Sequence, residues 1–151
     1  MQFTPYLNFN GDCEAAFRFY QRVLGGELEM QTHGDSPIAG QVPPAWHNRI
    51  LHARLVFGDA VLMASDSPPE MYQRPQGLYV SIGLQDVADA ERIFHALAEG
   101  GSVIMPLDRT FWAERFGMLV DRFGIPWMIN CDTSKSSSAR GTTSNELAEA
   151  R

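Results

Sequence analysis

The sequence predicts a single α+β domain built from two β-α-β-β-β modules. A short internal repeat, two amphipathic helical stretches each closed by glycines, and hairpin signals at matching places in the two halves carry that prediction.

In the repeat, Asp12, Ala16 and Arg18 line up with Asp86, Ala90 and Arg92. With one inserted residue, Gly25-Gly26 then matches Gly100-Gly101, and Met30 matches Met105. The two aspartates are expected to cap helices by accepting hydrogen bonds from free amides of the first turn. The glycine pairs are expected to end the helices, because glycine adopts the left-handed conformation without strain. Between these stops Cys13, Ala16, Phe17, Tyr20 and Val23 recur at steps of three and four, as do Val87, Ala90, Ile93, Phe94 and Leu97. That spacing puts each set on one helix face, as in a helix lying on a sheet, and predicts helices over 13–24 and 87–99.

Strands are predicted before the helices, at 6–9 and 78–84, and after them, at 27–33 and 102–107. Each half then closes with a hairpin: 50–57 with 60–65 around Gly58-Asp59, and 117–122 with 125–130 around Phe123-Gly124. The domain accordingly spans 1–131, with modules of about 1–67 and 76–131. Residues 34–48, with three prolines and Trp46, form a long loop expected to cover a site. A Ser- and Thr-rich tail follows at 132–151, where the capping-box spacing from Thr143 to Glu146 allows a short helix over 144–151.

Composition narrows the function. The 151 residues are 44% hydrophobic and 20% charged, the make-up of an ordinary globular domain. A net charge of −6 with 12 scattered Lys and Arg argues against nucleic acid or an anionic membrane as partner. Cys13 and Cys131 make no disulfide framework and have no metal-ligand spacing. His33, His47 and His95 likewise share no ligand spacing. No apolar run has spanning length, and the first residues lack the regions of a secretory leader, so a cytoplasmic location is expected.

Several stretches resemble the vicinal oxygen chelate superfamily, which includes glyoxalase I, bleomycin-resistance proteins and extradiol dioxygenases, and within it the PhnB-like branch. They are Pro5-Tyr6-Leu7, Phe19-Tyr20 before Leu24-Gly25, His52-Ala53-Arg54-Leu55, Met63-Ala64-Ser65-Asp66, and Thr110-Phe111-Trp112-Ala113 continuing through Phe123-Gly124-Ile125-Pro126-Trp127 to Asn130. The resemblance covers residues 3–131. It implies two modules side by side with their sheets curling around a cavity, a small-molecule ligand, and a homodimer.

Enzymes of that superfamily usually hold a divalent metal on four inward-facing strand positions filled by His, Glu or Gln. Alignment on the helix caps and terminal turns puts Pro5, Met63, Tyr79 and Met128 there, and no neighbouring residue supplies an imidazole or carboxylate. Hard and borderline ions need such donors, so no metal and no other cofactor is expected.

Strand parity then selects the cavity lining. Pairing Phe57 with Ala60 places Arg54 opposite Met63 and His52 opposite Ser65, while Tyr79 with Ser81 and Met128 with Asn130 share the corresponding face of the second half. Trp112 and Phe116 are expected to add an aromatic wall, whereas Trp127 has the parity of the core. The expected ligand residues are thus Arg54, Met63, Ser65, Tyr79, Ser81, Trp112, Phe116, Met128 and Asn130, with His52 as the catalytic candidate. Ser65-Asp66 beside His52 makes no triad, because adjacent strand residues face opposite ways. Two function classes stay open. One is a metal-free small-molecule-binding protein. The other is a glyoxalase-like lyase, isomerase or oxygenase with His52 as acid/base and Arg54 as anion clamp. A methyltransferase is disfavoured, since no glycine-rich turn follows a strand.

Overall fold

The computed structural model describes residues 1–133; the tail helix considered over 144–151 lies outside them. The first unit runs β1 (Tyr6–Phe9), α1 (Cys13–Leu24), β2 (Glu27–Thr32), β3 (Ile50–Phe57) and β4 (Ala60–Asp66). The second runs β5 (Val80–Leu84), α2 (Val87–Ala98), β6 (Ser102–Asp108), β7 (Arg115–Val120) and β8 (Pro126–Cys131). Each unit makes a four-stranded sheet, in the orders β1-β4-β3-β2 and β5-β8-β7-β6. In both, the first and last strands pair parallel and the rest antiparallel. The two-module α+β prediction stands.

The helix-facing rows form the core. Leu7, Phe9, Ala53, Leu55, Leu62 and Ala64 are buried against Cys13, Ala16, Phe17 and Tyr20 of α1. Leu119, Trp127, Ile129 and Cys131 are buried with Ala90, Ile93, Phe94 and Leu97 of α2. The glycine pairs do more than end helices. A Cβ on Gly26 would stand 2.4 Å from the Val56 carbonyl oxygen, and one on Gly101 2.2 Å from that of Val120. In each unit the chain leaving the helix therefore runs hard against the partner strand.

Only one aspartate caps as predicted. Asp86 accepts a hydrogen bond from Asp89 N at 2.9 Å, but the Asp12 side chain makes no cap bond. Its place is taken by Asp66 at the end of β4, which accepts from Gly11 N, Cys13 N and Ile50 N at 2.9, 3.1 and 2.8 Å. This buried carboxylate serves the first turn of α1 and the start of β3 together.

Asp121 was expected within a strand but lies in the β7–β8 turn. Its carboxylate accepts from Phe123 N at 2.8 Å and Ile125 N at 3.0 Å, curling the chain away from β7. The same carboxylate joins the units: the Tyr20 hydroxyl of α1 donates to it, as does Trp127 Nε1 at 2.9 Å. Arg92 of α2 donates to the Val23 carbonyl at 2.9 Å, and the Arg122 guanidinium lies 4.2 Å over the Phe19 ring.

The loop over 34–48 contains short 3-10 turns at Ala39–Gln41 and Pro44–Trp46. Among the described residues its hydrogen bonds run within itself and to its flanking residues, as from His33 N to Arg49 O at 3.0 Å, and none reaches a predicted site residue. Among the described residues, no helix is long and apolar enough to cross a membrane.

Candidate functional site

Because one side of each sheet is covered by its helix, the alternate residues stand on an open side. On the first sheet the register Tyr6↔Met63, Arg54↔Met63 and Glu29↔Arg54 forms one row across all four strands. The neighbouring row holds Gln31 opposite His52 and Ser65 opposite Asn8, with Ser65 Oγ donating to Asn8 Oδ1 at 3.4 Å. Arg54 falls opposite Met63 as predicted. Arg54, Met63 and Ser65 are half-buried between fully buried neighbours and His52 is half-buried beside buried Ala53, so this face is open and largely polar.

Tyr6 is the residue that sequence reasoning missed. Its hydroxyl lies 3.3 Å from His52 Nδ1, and the two rings stack at 5.9 Å with 29° between their planes. The alignment had put Pro5 in this place. Leu7 and Phe9 are buried, so Pro5 has the parity of the core and Tyr6 that of the open face. The alternation Tyr6-Leu7-Asn8-Phe9 carried the signal. Arg54 makes no hydrogen bond, ion pair or ring contact among the described residues.

On the second sheet the matching row is Ser81, Met128, Met118 and Met105, from Ser81↔Met128, Met118↔Met128 and Met105↔Met118. Next to it Asn130 stands opposite both Phe116 and Gly83. Trp112 is 51% exposed and packs edge-on against Phe116 at 5.4 Å, with Phe111 a further 4.7 Å away. Trp127 is buried in the core, as its parity predicted. Tyr79 lies one residue ahead of β5 and is exposed.

The single lining expected from the sequence thus divides between two faces. No hydrogen bond, ion pair or ring contact among the described residues joins the His52 set to the Met128 set. A separate crevice of about 470 Å³ opens between the units, lined by Phe3, Phe57, Val61, Val80, Ile93 and Trp127 among others. Of the predicted ligand residues, it includes Ser81 alone.

Neither thiol is built for nucleophilic chemistry. Burial pushes the Cys13 thiol far above its ordinary range, and the nearby Asp66 and Asp12 charges add to the effect. Burial likewise raises Cys131, with Asp86 and Glu114 contributing. Tyr20 is raised well above the usual phenol by burial and by Asp121.

Residues 3–129 match the Glyoxalase/Bleomycin resistance protein/Dioxygenase superfamily. The chain belongs to that superfamily. Protein YjdN of Escherichia coli K12 is 35% identical over 139 residues, covering 86% of this chain and 95% of its own length. The crystal structure of protein PA1353 from Pseudomonas aeruginosa is 52% identical with a TM-score of 0.81, covering 87% of this chain and 98% of that one. A PhnB protein from Bacillus cereus, 22% identical with a TM-score of 0.72 over 87% of this chain and 99% of its own, shares the fold.

The metal positions implied by the superfamily can be placed by counting back from the closing pairs Phe9↔Asp66 and Leu84↔Cys131. Three steps back in each sheet stand Tyr6 with Met63 and Ser81 with Met128. The sequence had put Pro5 and Tyr79 in place of Tyr6 and Ser81. Its single offset overlooked that the strand-to-helix connection is one residue longer in the first unit than in the second. The corrected set still holds no imidazole or carboxylate. Among the described residues no group of three His, Cys, Asp or Glu is placed to hold a metal ion. The donor set does not fit the divalent ion of the superfamily's enzymes.

Proposed function

We propose that this member of the superfamily binds a small organic acid with an apolar or aromatic body, without a divalent metal. The observation that carries the reading is Arg54, a guanidinium with no hydrogen bond or ion pair among the described residues, on an open polar face. A free fork of donors suits a carboxylate or phosphonate oxygen pair. His52 and Ser65 offer further hydrogen bonds, while Met128, Phe116 and Trp112 offer apolar contact from the other face. Mixed linings of this kind are usual in small-molecule pockets.

In this proposal two copies of the chain close the faces into sites as a homodimer. β1 and β5 are sheet edges, and Phe3 at 90% and Leu78 at 54% exposure lie just ahead of them in the chain. Unpaired edges with exposed apolar side chains favour association. Sedimentation is expected to show a dimer; a monomer at micromolar concentration would overturn this part.

Thermal-shift screening of aromatic carboxylates and phosphonates tests the ligand. Hits should stabilise the protein and lose most of that effect in Arg54→Gln. A hit unaffected by this substitution, or no hit in either class, would overturn the reading.

One observation favours an enzyme instead: the Tyr6 hydroxyl at 3.3 Å engages His52 Nδ1 and leaves Nε2 for a substrate proton. In that case turnover of a bound acid should fall on the order of 100-fold in His52→Gln with little change in binding.

A further inference from the structure

The row on the second sheet has a property that an organic ligand does not require. Met105, Met118 and Met128 are direct neighbours across β6, β7 and β8. Met118 and Met128 alternate with buried Leu119, Trp127 and Ile129, so all three stand on the open side. The third member is there because of a bulge. Val103 pairs with Leu119, and an unbroken ladder would continue with Ile104 opposite Met118; the register shift puts Met105 there instead. One extra residue in a strand re-aims the side chains beyond it, and such bulges recur beside functional sites.

We infer that Met105, Met118 and Met128 form a site for a soft monovalent ion, Cu(I) in the first place and Ag(I) as its analogue. Neutral thioethers select Cu(I) over the hard and borderline ions that need imidazole or carboxylate. The span suits it. Residues paired across a sheet have Cβ atoms about 5 Å apart, so the outer two methionines stand about 10 Å apart. Each sulfur lies two bonds beyond its Cβ, a reach that lets the outer two turn toward the middle strand and leaves room for one ion at metal–sulfur bonds of about 2.3 Å, the length of a zinc–thiolate bond. Phe116, two residues from Met118 on the same strand and against Trp112 at 5.4 Å, supplies an aromatic wall beside the ion. The ion enters and leaves as Cu(I), with no change of oxidation state.

This site shares Met128 with the proposed ligand face but does not depend on it. Leucine in place of methionine keeps the apolar wall and removes the sulfur, so the two readings fail separately. The test uses the full chain under anaerobic conditions, with Cu(I) supplied from a coloured Cu(I) chelator. One equivalent should transfer to the protein, and the apparent affinity should fall at least tenfold in the Met105→Leu/Met118→Leu variant, which leaves Met128 untouched, while any organic-acid stabilisation survives. Methionine-methyl NMR of the unaltered protein titrated with Ag(I) gives a second measurement that needs no variant. The resonances of Met105, Met118 and Met128 should shift, and those of Met1, Met30, Met63 and Met71 should not. No copper transfer, transfer that survives the double substitution, or methyl shifts elsewhere than in these three would overturn the inference.

Discussion

The two open faces occupy the same place in the same strand order and carry unlike chemistry. Counted from the closing pair of each sheet, Tyr6-Met63-Arg54-Glu29 in the first unit corresponds to Ser81-Met128-Met118-Met105 in the second. One row sets a phenol, a guanidinium and a carboxylate around a single thioether; the other is three thioethers and a hydroxyl. The covered faces diverge far less, since both hold Ala, Leu, Ile and aromatic side chains against a helix. A packed row must keep its volume and apolarity, because a changed methylene is felt throughout a close-packed interior. An open row is free of that demand, so a duplicated scaffold can acquire two surfaces without losing either core.

The largest expected effects lie in the scaffold, where each unit depends on one buried carboxylate. Asp121→Ala strips partners from the Tyr20 hydroxyl, Trp127 Nε1 and two backbone amides, and should cost about 4 kcal/mol. Asp66→Ala strips three backbone amides within the first unit and should cost about 3 kcal/mol. Urea denaturation measures both. A larger loss for Asp66→Ala would break the view that Asp121 also holds the units together.

Next come the faces themselves. Arg54→Gln should weaken an acidic ligand by about 2 kcal/mol, more than tenfold, because a charged hydrogen-bond donor is lost. Met118→Leu, which keeps the apolar volume, should change affinity by less than about 1 kcal/mol. Titration calorimetry on a hit compound would show this asymmetry, and equal losses would erase the contrast between the faces.

A smaller and matched effect is expected where the units agree. Gly26→Ala and Gly101→Ala each drive a Cβ into a carbonyl oxygen of the neighbouring strand, at 2.4 and 2.2 Å. Each should cost on the order of 1 to 2 kcal/mol by thermal unfolding. A large cost in one unit and none in the other would show that the repeat has lost its equivalence there.

The smallest expected signal is a rate close to zero. Burial raises both thiols, so at pH 8 Cys13 and Cys131 hold less thiolate than a free cysteine. A disulfide reagent should leave both unmodified in the native protein and modify both in urea. Rapid native labelling of either would contradict the packed helix-side rows.

Most of the fold was legible because it depends on local chemistry. Helical spacing, terminal glycines and the Gly58-Asp59 turn act over a few residues, and Gly58 indeed takes the positive φ, 57°, that such a turn asks of it. Parity within a hairpin also travels a short way, which is why Arg54 opposite Met63 was predictable. What failed was longer in range. Pro5 and Tyr79 were chosen with one offset for the whole repeat, which fell one residue short of Tyr6 and two short of Ser81 because the strand-to-helix connections differ by one residue. In a strand, one residue is the difference between core and open face. Met105 escaped notice for the same reason, since a bulge in β6 is decided by pairing with β7.

By itself, the sequence determined that two β-α-β-β-β units would form and where their helices stop. Tertiary structure decided that Asp66 replaces Asp12 as the cap of α1, that Asp121 ties Tyr20 and Trp127 across the units, and that the candidate residues divide between two faces. Periodicity is a property of one segment and survives in one dimension. A carboxylate's choice among distant amides, and the face a side chain takes after a bulge, are settled only when segments far apart in the chain compete for the same hydrogen bonds.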